Sequence, residues 1–154
     1  MHVIFSSKED LLTALADDLF QKFRAWIDER LDPADAAPGR LVRACVRAVL
    51  TPEDDVVSAR GEFALVAQLM TMPAAAEIAR EHGRRLDEDL RADGLYEDVR
   101  VLIVAAADGA NSAVQWGGVP PAPATLRRLQ DRLVQLTREP DLWERIPWAA
   151  SAST

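Results

Sequence analysis

Cysteine, histidine and aromatic residues are scarce in this chain of 154 residues, and each shortage removes a class of function. The lone cysteine, Cys45, allows no internal disulfide and fits a reducing, cytoplasmic setting. The two histidines are His2 and His82, and the sequence holds no His-Glu-x-x-His, paired histidine ligands, Cys-x-x-Cys or Gly-x-Ser-x-Gly. No enzyme activity, metal or cofactor is therefore expected. Aromatics make up 6% of the chain, and Trp26, Trp116, Trp143 and Trp148 are too dispersed to form a cage. Only two lysines accompany 16 arginines, scattered among acids in the pattern of solvated helix faces. The formal net charge of −7 repels nucleic-acid phosphates, and no basic tract with interleaved aromatics offsets it. A basic leader followed by an apolar core is absent. The most apolar stretch, 99–119, is interrupted by Arg100, Asp108, Asn111 and Gln115, so it reads as a helix buried in protein, and no membrane partner is expected.

Alanine and leucine are abundant, apolar residues reach 49%, and the breakers fall between periodic segments. The pattern predicts an all-α fold, an antiparallel bundle of about seven helices joined by short connections. Ser6 and Ser7 followed by Glu9 and Asp10 are a helix-start signal, and the first helix is expected over 7–31. Its stripe is Leu11, Leu12, Leu15, Leu19, Phe23, Trp26 and Ile27. After the expected linker "DPADAAPG", a second helix over 40–50 turns Cys45 inward as an inert core thiol, with Arg40, Arg43 and Arg47 outward. A third runs from 53 or 58 to 70. Pro73 starts a fourth over 73–92, closed by Asp93-Gly94. A fifth is expected over 96–116, a sixth over 124–138 and a short seventh over 141–148, packed down by Trp143 and Trp148, with a frayed tail over 149–154. On the fourth, Glu81, His82, Asp87, Glu88 and Asp89 resemble a ligand cluster, but Glu81–Arg85 and Arg84–Glu88 at i, i+4 make a charged solvated face the better account.

The fifth segment, "EDVRVLIVAAADGANSAVQWGG", is apolar nearly all round. Ala105, Gly109, Ser112 and Ala113 cluster beside Leu102, Ala106 and Trp116, a small-residue face that lets another helix approach. A second face carries Asp108, Asn111 and Gln115, whose polar groups need partners in the fold, a second subunit, water or a ligand. The next helix has a stripe of Leu126, Leu129, Leu133 and Leu136. Two such neighbours suit packing against their symmetry copies, so a homodimer is expected through 99–116 and 124–138, using Leu102, Ala105, Gly109, Ser112, Ala113, Trp116, Leu126, Leu129 and Leu133.

Two stretches resemble a known family. "IFSSKEDLLTAL" resembles the end of the DNA-binding head of tetracycline-repressor (TetR) regulators, where an aromatic-x-x-Phe-x-Ser-Lys-Glu-x-Leu-Leu pattern closes the recognition helix and opens a long fourth helix. Phe5, Ser7, Lys8, Glu9, Leu11 and Leu12 match, while His2 replaces the earlier aromatic. "VLIVAAADGANSAVQWGGVPPAPATLRRLQDRLVQL" resembles the last two long helices of many members. The resemblance implies that a helix-turn-helix head should precede Phe5. It makes residues 1–6 a remnant of that head and 7–148 an effector-binding and dimerisation domain. It implies a small apolar or amphipathic effector, and DNA binding only where such a head exists.

The resemblance places an effector cavity among the first five helices. Candidate lining residues are Phe63, Val66, Met70, Met72, Leu86, Leu90, Asn111 and Gln115, with aromatic and flexible Met side chains forming an adaptable apolar wall. A plain core stripe is the competing account of Phe63, Val66 and Met70. Two functions stand side by side: a ligand-responsive transcriptional regulator, and a headless dimerisation or ligand-sequestering module that does not bind DNA.

Overall fold

The structure, a computed structural model, describes residues 7–51, 68–112 and 121–139, together with 65, 118 and 119. Five helices and no strands occur among the described residues: α1 (Lys8–Asp28), α2 (Arg40–Val49), α3 (Pro73–Ala92), α4 (Glu97–Ser112) and α5 (Pro123–Leu136). The all-α expectation stands, but the count of about seven is not matched. The helices expected up to residue 70 and over 141–148, with Trp143 and Trp148, fall on segments mostly or wholly outside the described residues. The expected boundaries at 1–6 and 149–154 also lie outside them.

Local chemistry sets the helix ends. The Ser7 hydroxyl accepts a hydrogen bond from the Asp10 amide at 3.1 Å, and Glu9 and Asp10 place negative charge in the first turn of α1. Pro73 occupies the first turn of α3, where its missing N–H is no loss. Gly94 follows α3 at φ +79°, the left-handed conformation that glycine adopts without strain. α2 begins on Gly39 at φ +83°, which has no side chain to cap the helix. Asp93 supplies the cap from the far end of α3: its Oδ2 accepts from the Val42 amide at 3.0 Å, and its carbonyl accepts from the Gly39 amide at 2.9 Å.

α2 is the centre of the bundle, touching α1, α3, α4 and α5. Val42, Ala44, Val46 and Leu50 are buried with Cys45 in one core that also takes Ile27, Leu90, Val99, Ile103, Ala107, Leu126 and Leu133. Cys45 is free and buried as expected, and burial pushes its thiol up to about 12. A second cluster joins the first half of α1 to the start of α3 through Ala16, Leu19, Leu69 and Ala75. Trp26 fastens the end of α1 to α2 by donating its indole N–H to the Ala48 carbonyl at 3.1 Å, while the Arg30 guanidinium lies over its ring.

Arg43 corrects the expectation of an outward arginine face on α2, because it is fully buried. Its Nε and one terminal nitrogen grip the Asp35 carboxylate at 2.7 and 2.8 Å. The remaining N–H groups donate to the carbonyls of Ala37 and Pro38 and to the Thr137 hydroxyl at 2.9, 2.8 and 3.0 Å. All five donors are thereby used, and Asp35 takes a further bond from Arg138 at 3.0 Å. The stretch expected as a linker is thus a structured loop wrapped around a buried cation. Gly39 makes room for it: a Cβ there would sit 3.0 Å from a terminal nitrogen of Arg43.

Candidate functional site

The site grows from the packing of α1 along α3. Phe20, Phe23, Arg24 and Asp28 recur at three- and four-residue spacing on α1, and His82, Leu86 and Asp89 do the same on α3. These two faces line a cleft of about 480 Å³, with Gln21, Ala25, Gly83 and Arg85 also contributing. Its apolar floor is Phe20, Phe23 and Leu86, all half-buried.

Polar bridges tie the two walls together. His82 Nε2 lies 2.6 Å from Asp17 Oδ1, and its ring stacks on Phe20 with centroids 5.4 Å apart. Arg24 binds Asp28 on its own helix at 3.1 Å and reaches across the cleft to Asp89. Asp28 and Asp89 together raise the Arg24 value, although desolvation by burial, the largest single effect, works against them. On α3, Arg84 pairs with Glu88, and Arg85, at the edge of the cleft, pairs with Glu81, the arrangement expected of a charged solvated face. Hydrogen bonds from Arg84 hold the Glu81 carboxyl below the ordinary carboxylate range. His82 departs from that face by turning inward to α1. No group of three or more metal-ligating side chains occurs among the described residues.

The expected lining residues scatter. Among the described ones, Leu86 alone reaches the cleft. Leu90 is buried in the main core with residues of α2 and α4. Met72 packs on the Ala16 cluster, Met70 is exposed, and Asn111 is half-buried in the last turn of α4. Phe63, Val66 and Gln115 lie outside the described residues. Sequence reasoning missed Phe20, His82, Arg24 and Asp89 as a group. The available signal was the matched spacing of two aromatics on α1 and of His82, Leu86 and Asp89 on α3, but only the pairing of those helices brings them together.

α4 also differs from expectation, since it is not buried all round. Val99, Arg100, Ile103 and Ala107 face the core, with Arg100 held to Asp87 of α3 at 2.9 Å. The opposite face, with Val101, Leu102, Ala105, Asp108 and Gly109, is exposed, and Ser112 is half-buried beside it. A Cβ built on Gly109 would meet nothing within 4 Å. Leu126 and Leu133 of α5 pack into the chain's own core, with Leu129 half-buried against it, while Ala113 and Trp116 lie outside the described residues.

No helix among the described residues is long and apolar enough to cross a membrane. No match was found among curated proteins or among solved structures. The family described as "Tetracyclin repressor-like, C-terminal domain" matches residues 39–138, from the cap of α2 to the turn that closes α5. That match takes in 100 of the 154 residues, and the chain therefore belongs to the family of tetracycline-repressor-like C-terminal domains.

Proposed function

We propose that this chain is the effector-binding and dimerisation domain of a ligand-responsive transcriptional regulator of the TetR type. The observation that carries the reading is the family match over 39–138. Two features of the helices support it. The cleft between α1 and α3 has an apolar floor and a polar rim, the composition expected of a small-molecule site. Among the described residues, Leu102, Ala105 and Gly109 of α4 form an exposed face, with Ser112 half-buried beside them. The domain's task in this reading is to change the separation of two DNA-binding heads, so no residue of this chain is assigned a DNA contact.

Homodimerisation is assigned chiefly to that α4 face. Glycine inside a helix costs about 1 kcal/mol relative to alanine. No close approach within the described chain compensates Gly109, and a helix from a second copy would. Leu126 and Leu133 contribute indirectly, by seating α5 on the core beside α4. Light scattering is expected to give twice the 17.0 kDa chain mass for the wild type and the chain mass for Gly109→Leu. A monomeric wild type, or a Gly109→Leu variant that dimerises equally well, would remove this assignment.

Effector binding has a separate test. A thermal-shift screen of small apolar and amphipathic compounds is expected to yield ligands that raise Tm in proportion to the logarithm of concentration above their Kd. A broad screen with no stabilising compound would count against an effector domain.

A further inference from the structure

The outward faces of α4 and α5 carry opposite charge. On α4 the exposed charged residues are Glu97, Asp98 and Asp108, all acidic, and the single basic residue of the helix, Arg100, is buried. Between Asp98 and Asp108 the exposed surface is apolar, with Val101, Leu102 and Ala105. On α5 the exposed face carries Arg127, Arg128 and Arg132 against one acid, Asp131.

These charges differ from those of α3 in how they are met. Each of the four arginines of α3 closes with a carboxylate of its own helix: Arg80 with Glu77, Arg84 with Glu88, Arg85 with Glu81 and Arg91 with Asp87. Arg127 and Asp131 of α5 offer the same spacing, yet no ion pair forms between them. Arg128 donates to the Thr125 hydroxyl at 3.1 Å, and Asp98 accepts from the adjacent Val99 amide at 2.9 Å. Among the described residues, Arg127, Arg128, Arg132, Asp98 and Asp108 all lack an ion pair.

We propose that α4 of one copy packs on α5 of a second copy, twice over across a two-fold axis, with the α5 arginines reaching the carboxylates at the two ends of the apolar α4 surface. The proposal rests on the homodimer reading and adds to it which helix covers α4 and which charges select it. α4 and α5 are neighbours in the bundle, so one two-fold rotation serves both crossings. Crossing α4 on its own copy would set carboxylates against carboxylates, and crossing α5 on itself would set arginines against arginines. Both arrangements are disfavoured by like-charge repulsion, whereas α4 on α5 joins complementary faces. Arginine stems are apolar and long enough to lie along Val101, Leu102 and Ala105 while their heads reach Asp98 and Asp108.

Sedimentation velocity on the full chain tests the pairing. The wild-type dimer is expected to weaken at least about fivefold between about 50 and about 500 mM NaCl, because salt screens exposed charges. Reversing the α4 charges (Asp98→Arg with Asp108→Arg) and, separately, the α5 charges (Arg128→Glu with Arg132→Glu) should each weaken self-association about tenfold or more. Mixing the two reversed proteins should restore a dimer of near wild-type strength, since both crossings of the mixed pair again join opposite charges. Contact of α4 with α4 would instead leave the α5 reversal without effect. It would also make the α4-reversed protein bind wild type more tightly than wild type binds itself, and that result overturns the pairing. Circular dichroism melting checks that each variant folds; should the α4 reversal fail to fold, the α5 reversal and the salt series decide the matter. A dimer indifferent to salt and to both reversals overturns this pairing and leaves the α4 assignment to Gly109→Leu. A monomeric wild type overturns both.

Discussion

Arg43→Ala is expected to destabilise the domain by roughly 3–5 kcal/mol, a large share of the total stability of a domain this size. The cause is what the change leaves behind. Asp35 is buried and would keep its charge with only Arg138 beside it. The carbonyls of Ala37 and Pro38 and the Thr137 hydroxyl would each lose the donor they face. Arg43→Lys is expected to recover little, because one ammonium cannot reproduce a two-pronged grip plus three further bonds. Urea unfolding followed by circular dichroism measures the loss, and a cost below about 1 kcal/mol would show that the cluster is dispensable.

The same pair gives that loss a pH dependence. Hydrogen bonds from Arg43, the largest cause, hold the Asp35 carboxyl below its ordinary value despite the opposing effect of burial. A depressed carboxyl stabilises the fold fully above its unfolded pKa, about 3.9, and loses that contribution as pH falls through the lower folded value. The gap in stability between wild type and Arg43→Ala should therefore be widest near neutral pH and narrow below about pH 4.

Ile103→Ala is expected to cost roughly 2–5 kcal/mol, by lost transfer energy and by the cavity left behind. Ile103 is completely buried on the inner face of α4, in the core built around α2. Its neighbour in sequence, Leu102, is 47% exposed on the opposite face. Leu102→Ala should thus scarcely change the stability of a dilute, monomeric sample, while acting on self-association if the α4 face is the interface. Denaturant midpoints at two protein concentrations separate these effects, since association makes stability concentration-dependent. Equal losses for the two variants at low concentration would contradict the assigned orientation of α4.

Local sequence chemistry carried much of the fold. Ser7, Pro73 and Gly94 mark helix ends because capping depends on residues a few positions apart. The inward face of Cys45 follows from helical period alone. Arg43 escaped because period assigns a residue to a face, whereas the burial of a guanidinium depends on a carboxylate, carbonyls and a hydroxyl arriving from a loop and from α5. Asp35 sits eight residues away and Thr137 ninety-four. The cleft was hidden for the same reason: Arg24 and Asp89 are 65 positions apart, and each alone reads as a surface charge. Leu90 shows the converse difficulty, since the apolar character of a residue buried in the core fits a cavity wall equally well. On α4, composition announced a helix apolar all round but could not show that one flank is exposed among the described residues.

The cap that Asp93 places on α2 also bears on how the domain breathes. A helix usually loosens from its ends, one turn at a time, and its first amides exchange with solvent hydrogen sooner than its middle. Here the Val42 amide is closed by a side chain 51 residues further along, at the junction of α3 and α4. The beginning of α2 and the end of α3 therefore open together or remain shut together. Amide exchange at Val42 reports on that distant corner as much as on its own helix, and two segments far apart in sequence behave as one cooperative unit.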